Sequence, residues 1–198
     1  MVKIIIHRVN KIKNYNKLKN FYGIETDVRD YGKKLILSHD PHKNGEDFFK
    51  FINNVNKIVF LNIKSSGLLK KILRFIKNKK IFLLDISFSE FNYLYEKNLL
   101  DRVLLRFSSY ERFDFKKKYF KKIEWIWYDY FNDLKISLKD YKYLKKNKKK
   151  ICLVSPDLLG KKNEILKYIK YLNQNKIVVD AVCTKKENVS LWKNNYSY

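Results

Sequence analysis

Eight short apolar, β-prone runs recur along this chain at fairly regular intervals, with amphipathic lysine-rich stretches between them. They cover residues 2–7, 23–28, 57–63, 80–86, 102–107, 124–128, 150–154 and 177–183. Near-continuous apolar runs suit parallel strands buried on both faces, because a strand with one wet face alternates instead. Between the runs, Leu68, Leu69, Ile72, Leu73 and Ile76 form one stripe at helical spacing, and Ile165, Ile169 and Leu172 form another. Asp140 opens a third expected helix carrying Tyr141, Leu144 and a lysine run. Strands alternating with helices admit two architectures, a closed (β/α)₈ TIM barrel or a doubly wound sheet.

The ends of the runs favour the barrel. Nearly every run finishes on a polar residue: His7 and Arg8, Glu25 and Asp27, Asn62 and Lys64, Asp85 and Ser87, Arg106, Asp129, and Ser155. In a barrel the C-terminal strand ends ring one mouth, where active sites are built. No glycine-rich phosphate loop follows a strand, which weakens the nucleotide-binding alternative. The 198 residues make a compact, trimmed barrel against the ~250 of a typical one. One segment breaks the alternation: residues 35–39 follow Val28 too closely for a helical crossover, so they read as a small hairpin insertion after the second strand. With five glycines and two prolines there is little linker material, and residues 1–198 read as a single domain.

Composition narrows the function classes. Apolar residues at 45% and aromatics at 16% exclude a disordered chain. The formal charge of +24 allows nucleic acid, anionic lipid or an anionic substrate as partner. The basic runs at 116–118, 121–122 and 145–150 fall between apolar segments, where solvated helix ends and loops belong, so nucleic acid is not the expected partner. Cys152 and Cys183 lie in strand-like runs and read as buried free thiols. No stretch approaches the ~18 apolar residues of a membrane span, and the start is too short in apolar residues for a signal peptide; a cytoplasmic location is the expectation.

Three fragments near the start carry the chemistry: His7-Arg8, Glu25-x-Asp27 and His39-Asp40. Alternation along a strand points Glu25 and Asp27 to one side, and Asn62 and Lys64 likewise. Two such carboxylates can grip a hard divalent cation, Mg²⁺ or Ca²⁺, with Asn62 adding a neutral oxygen. His7 and His39 have side chains suited to general acid and base work near neutral pH. Arg8 offers phosphate a planar fork and Lys64 a point charge. Plainer structural readings stand beside these. Arg8 can pair with Glu25 or Asp27, Asp40-Pro41 can simply open a turn, His42 can be a loop residue, and Asp129 divides evenly between site and solvent. Trp125 and Trp127 read as packing residues.

The order His-Arg, Gly-Ile-Glu-Thr-Asp-Val, Leu-Ser-His-Asp-Pro resembles the glycerophosphodiester phosphodiesterase family, within the phosphatidylinositol-phospholipase-C-like superfamily. The resemblance is sharp over residues 4–41 and continues through Leu61-Asn62-Ile63-Lys64. It implies a (β/α)₈ barrel that cleaves a small phosphodiester, with His7 and His39 catalytic, Arg8 and Lys64 on phosphate, and Glu25 and Asp27 on a metal. Three departures stand out: Asn62 occupies the usual place of a third acidic ligand, the Pro-Glu-Asn-Thr segment is missing, and the chain is short. The Asn-Ile-Lys, Trp-x-Trp and Cys-Thr-Lys fragments are also similar to proteins encoded beside bacterial surface-polysaccharide genes, which implies a glycan, lipid or glycerol-phosphate setting. Two rival expectations follow: a catalytically degenerate barrel that binds ligands or acts as a scaffold, and a charge-driven nucleic-acid binder.

Overall fold

The computed structural model describes residues 2–76, 80–129, 131 and 135–197. Its ten strands among these residues are β1 (Lys3–Ile6), β2 (Gly23–Tyr31), β3 (Lys34–Leu37), β4 (Glu46–Asp47), β5 (Val59–Ile63), β6 (Ile81–Leu84), β7 (Leu104–Phe107), β8 (Trp125–Tyr128), β9 (Lys150–Val154) and β10 (Ala181–Thr184). The helices are α1 (Ile12–Asn16), α2 (Phe48–Asn53), α3 (Leu69–Leu73), α4 (Phe88–Glu96), α5 (Lys118–Lys121), α6 (Leu138–Lys146), α7 (Ile165–Gln174) and α8 (Val189–Asn195). All eight apolar runs contain a strand. The fold is mixed α/β, and the residues divide into two compact units, Arg8–Val103 and Met1–His7 with Leu104–Tyr198.

Within Arg8–Val103, β2, β5 and β6 lie side by side and parallel, with Asp27 opposite Asn62 and Asn62 opposite Leu84. Strand β2 is long enough to serve two partners. Its first half pairs with β5, and beyond Val28 it pairs antiparallel with β3, Tyr31 facing Lys34. Gly32 takes φ +59 in the two-residue turn, a conformation that tight hairpins need and side chains resist. The expected hairpin insertion is present, and β4 adds a third short strand to it. Its return passes close to β3: a Cβ on Gly45 would lie 2.2 Å from the Leu37 carbonyl oxygen. The core is built from Ile24, Val28, Phe60 and Leu61 of the sheet with Phe48, Phe51 and Ile72 of the helices, all fully buried. Ser87 caps α4, accepting from the Glu90 N–H while Glu90 reaches back to the Ser87 N–H.

In the other unit the parallel order is β1-β10-β9-β8-β7. Ile6 lies opposite Thr184, Cys183 opposite Val154, and Phe107 opposite Tyr128. Helix α7 buries Ile165, Tyr168, Ile169 and Leu172 at helical spacing. Trp192 of α8 is fully buried and donates its indole N–H to Ser155 Oγ at 2.9 Å. Both cysteines are buried free thiols, and Trp125 and Trp127 are buried as packing residues.

Helix α6 starts two residues earlier than expected. Ser137 is its cap, accepting from the Asp140 N–H at 3.0 Å. Asp140 is therefore an interior first-turn residue, and its buried carboxylate accepts from Arg112 at 2.6 Å and from the Tyr128 hydroxyl at 2.9 Å. Serine binds the free N–H of a first turn from just outside the helix, which leaves the following acid available for long-range pairing.

The parallel strands of each unit follow chain order, apart from the inserted hairpin and the return of β10 to β1. Neither unit shows, among the described residues, the order reversal that defines a doubly wound sheet. No helix of the described residues is long and apolar enough to cross a membrane.

Candidate active site

Strand β2 places Glu25 and Asp27 two residues apart, so both side chains leave the same face, and both residues are only 1% exposed. Parallel pairing brings Asn62 of β5 opposite Asp27, itself 8% exposed. Just past β5, the Lys64 N–H donates to the Val28 carbonyl at 2.9 Å, continuing the ladder. Its ammonium stands 3.4 Å from Asp27 Oδ1 and 4.0 Å from Asp85 Oδ2. Glu25, Asp27, Asn62 and Lys64 are thus brought together on one unit.

The segment after β1 supplies the donors that hold the carboxylates. The Arg8 N–H donates to Glu25 Oε2 at 2.8 Å, which requires Arg8 to adopt φ +51. A left-handed residue without glycine costs roughly 1–2 kcal/mol, and the hydrogen bond offsets part of it. Asn10 then fastens the segment to β2. Its Nδ2 donates to Asp27 Oδ2, while its Oδ1 accepts from the Thr26 hydroxyl and the Asp27 N–H, each at 2.9 Å. Nothing in the local sequence singles out Asn10, because its partners lie 16 and 17 residues away across the fold. The Arg8 guanidinium is exposed and forms no ion pair among the described residues; the salt bridge to Glu25 or Asp27 is replaced by the backbone bond.

Burial pushes the Glu25 carboxyl up to about 8, and the neighbouring Asp27 charge adds to the rise. The Arg8 N–H, the Lys64 ammonium and a bond from Asn62 act in the opposite direction without cancelling it. Two buried carboxylates on one face repel, and only one ionises easily. Asp27 Oδ1 and Asn62 Oδ1 are buried oxygens that accept no hydrogen bond among the described residues. Buried hard oxygens such as these, on one face of adjacent strands, fit a hard divalent cation. No group of three or more His, Cys, Asp or Glu side chains able to hold a metal occurs among the described residues, so such a cation would rest on two carboxylates and one amide.

His39 follows β3 in the same unit, and its ring bond goes to Asp40 rather than to the carboxylates: Nδ1 lies 2.8 Å from Asp40 Oδ1. Lys43 donates to the other Asp40 oxygen at 2.7 Å. The hydrogen bond to His39, and then the Lys43 ammonium, draw the Asp40 carboxyl down to about 2. An ionised acceptor beside Nδ1 favours the tautomer with the proton there, which leaves Nε2 as the acceptor nitrogen. Asp40, read from sequence as a turn opener, is therefore also an orienting group. His7 closes the other unit. Its N–H donates to the Thr184 carbonyl at 3.0 Å, extending the β1–β10 ladder, and the next peptide bond leads to Arg8. His42, at φ +59, belongs to the exposed loop after His39. Asp129 accepts from the Arg106 guanidinium at 2.5 Å at the end of β8.

The sequence matches no protein-family model and no curated protein. The structure does have relatives of known fold. It is similar to the crystal structure of glycerophosphodiester phosphodiesterase from Agrobacterium tumefaciens str. C58, with TM-score 0.58 and 14% identity, over 93% of this chain and 97% of that one. A candidate glycerophosphodiester phosphodiesterase from Galdieria sulphuraria aligns over 93% of this chain and 94% of its own at 12% identity, with TM-score 0.44. The first likeness assigns the chain the fold of a glycerophosphodiester phosphodiesterase. The second is too low in score to add to it.

Proposed function

We propose that this chain is a phosphoric diester hydrolase acting on a glycerophosphodiester-like substrate, built as one trimmed (β/α)₈ barrel over residues 1–198. The observation that carries the reading is the buried Glu25–Asp27 pair, with oxygens on Asp27 and Asn62 that accept no hydrogen bond among the described residues, set where the parallel ladder of β2 and β5 ends. The return of β10 to pair with β1, after strands that otherwise follow chain order, supports a closed barrel.

In this proposal Glu25, Asp27 and Asn62 hold Mg²⁺ or Ca²⁺, which would neutralise phosphate charge and acidify an attacking hydroxyl. The exposed Arg8 guanidinium binds phosphate oxygens as a fork, and Lys64 adds a fixed positive charge from its place beside Asp27. One of His7 and His39 takes a proton from the attacking hydroxyl or water, and the other gives one to the departing alcohol. Asp40 holds His39 in the required tautomer.

One observation favours a second reading. Asn62 brings no charge to the site, and the Lys64 ammonium already lies 3.4 Å from Asp27, so the carboxylates have partial compensation without a metal. Such a site suits a degenerate barrel that binds phosphate ligands without turning them over. A single experiment separates the readings: hydrolysis of glycerophosphodiesters and bis(p-nitrophenyl) phosphate, with and without divalent cations, beside His7→Ala and His39→Ala. The proposal expects cation-dependent turnover that falls about 10²–10⁴-fold in either variant. Undiminished activity in the variants would overturn the histidine mechanism. Binding of the diester without hydrolysis under every cation would establish the second reading.

A further inference from the structure

We propose that the groove between α3 and α4 is a second ligand site, one that takes a phosphate monoester carried on an apolar body. The groove encloses about 530 Å³, within the range of small-molecule sites. None of the residues proposed for diester hydrolysis lines it.

Its rim is formed by Lys70, Arg74, Lys97 and Arg102, and no carboxylate lines it among the described residues. Lys70, Arg74 and Lys97 form no ion pair among the described residues. Cations gathered within a Debye length of one another, about 10 Å at 0.1 M salt, repel. An anion in their midst reverses the sign of that energy. A dianionic monoester suits Lys70, Arg74 and Lys97 better than a singly charged diester, and Arg74 can bind its oxygens in a planar fork.

The floor is apolar. Tyr93 presents its ring to both lysines, with Lys70 Nζ 5.2 Å and Lys97 Nζ 6.0 Å from the centroid. Such contacts hold ammonium groups over the groove. Leu73, Ile76 and Leu99 complete the wall. A bare phosphate would leave that surface wet, whereas an ester of a ring or alkyl alcohol covers it.

Calorimetry on the full chain tests the site with three probes: 1-naphthyl phosphate, inorganic phosphate and 1-naphthol. The expected result is binding of 1-naphthyl phosphate at least tenfold tighter than either fragment. Arg74→Gln with Lys97→Gln should weaken it tenfold or more, and Tyr93→Ala should erase its advantage over inorganic phosphate. Arg74 and Lys97 are exposed, so their replacement does not disturb the core. Arg8→Ala is the control, since it touches only the proposed diester site. Loss of binding in Arg8→Ala with none in the groove variants would overturn the inference, as would equal binding of inorganic phosphate and the ester. Competition by phosphatidic acid in phosphatidylcholine vesicles would identify a lipid headgroup as the source of the monoester; its absence beside tight naphthyl phosphate binding would identify a free one. Failure here leaves diester hydrolysis standing, because the two sites share no residue.

Discussion

Glu25 is a carboxyl only 1% exposed to water. Its ordinary pKa of 4.5 is carried up to about 8 by burial, with Asp27 adding to the rise. Between those values the folded chain keeps a proton that the unfolded chain has released. Stability therefore falls as pH rises from about 4.5 to about 8, by on the order of 3–5 kcal/mol in total. Glu25→Gln should flatten that slope and raise the urea midpoint at pH 8 in the presence of chelator. Identical pH slopes for both proteins would show that Glu25 titrates normally. The pairing of Glu25 with Asp27 was legible from their spacing alone, since a period of two admits only one shared face. The roles of Asn10 and Asp40 were not. Asn10 acts through partners on another strand, and Asp40 acts through a neighbour whose ring could as well have turned away.

At the scale of elements, eight of the ten strands fall in the unbroken apolar runs that burial on both faces leaves, β3 in the expected hairpin, and β4 carries no apolar signal; α7 was legible from Ile165, Ile169 and Leu172 at helical spacing. Sequence patterning was weaker at ends. Helix α6 begins where Ser137 can cap it, and a lone serine between Ile136 and Leu138 is a weaker start signal than the acidic residue that follows. The hairpin is the element most dependent on backbone shape. Gly45→Ala should cost about 1–3 kcal/mol, because a Cβ there meets the Leu37 carbonyl oxygen at 2.2 Å and backbone must move. Gly32→Asn should be tolerated far better: the position has open space, and asparagine accepts the left-handed conformation that φ +59 demands. Thermal unfolding of the two variants checks the contrast. A larger loss at Gly32 than at Gly45 would mean that turn conformation, rather than close approach, governs the hairpin.

For the whole molecule, alternation of strand and helix indicated an α/β fold, and the described strands and helices are a mixed α/β fold. Strand order is a long-range property, and no local pattern encodes which run lies beside which. The pairing of β1 with β10 also has a consequence in time. Lys3 lies beside Ala181, so β1 has no partner on that edge until β10 has been made. The residues from Arg8 to Val103 depend on no such delay, since their sheet and helices are continuous in sequence. Synthesis from the N-terminus should therefore order this unit first, while residues 3–6 wait as an exposed apolar edge. Nascent chains stalled after residue 103 should protect Phe60 and Leu61 from proteolysis yet leave residues 3–6 open to cleavage, and release of the complete chain should close that site. Protection of residues 3–6 in the stalled chain would mean that the strand finds a temporary partner. The stretch that supplies His7 would then be the last part of the molecule to take its place, and a chain cut short before β10 would lack that placement altogether.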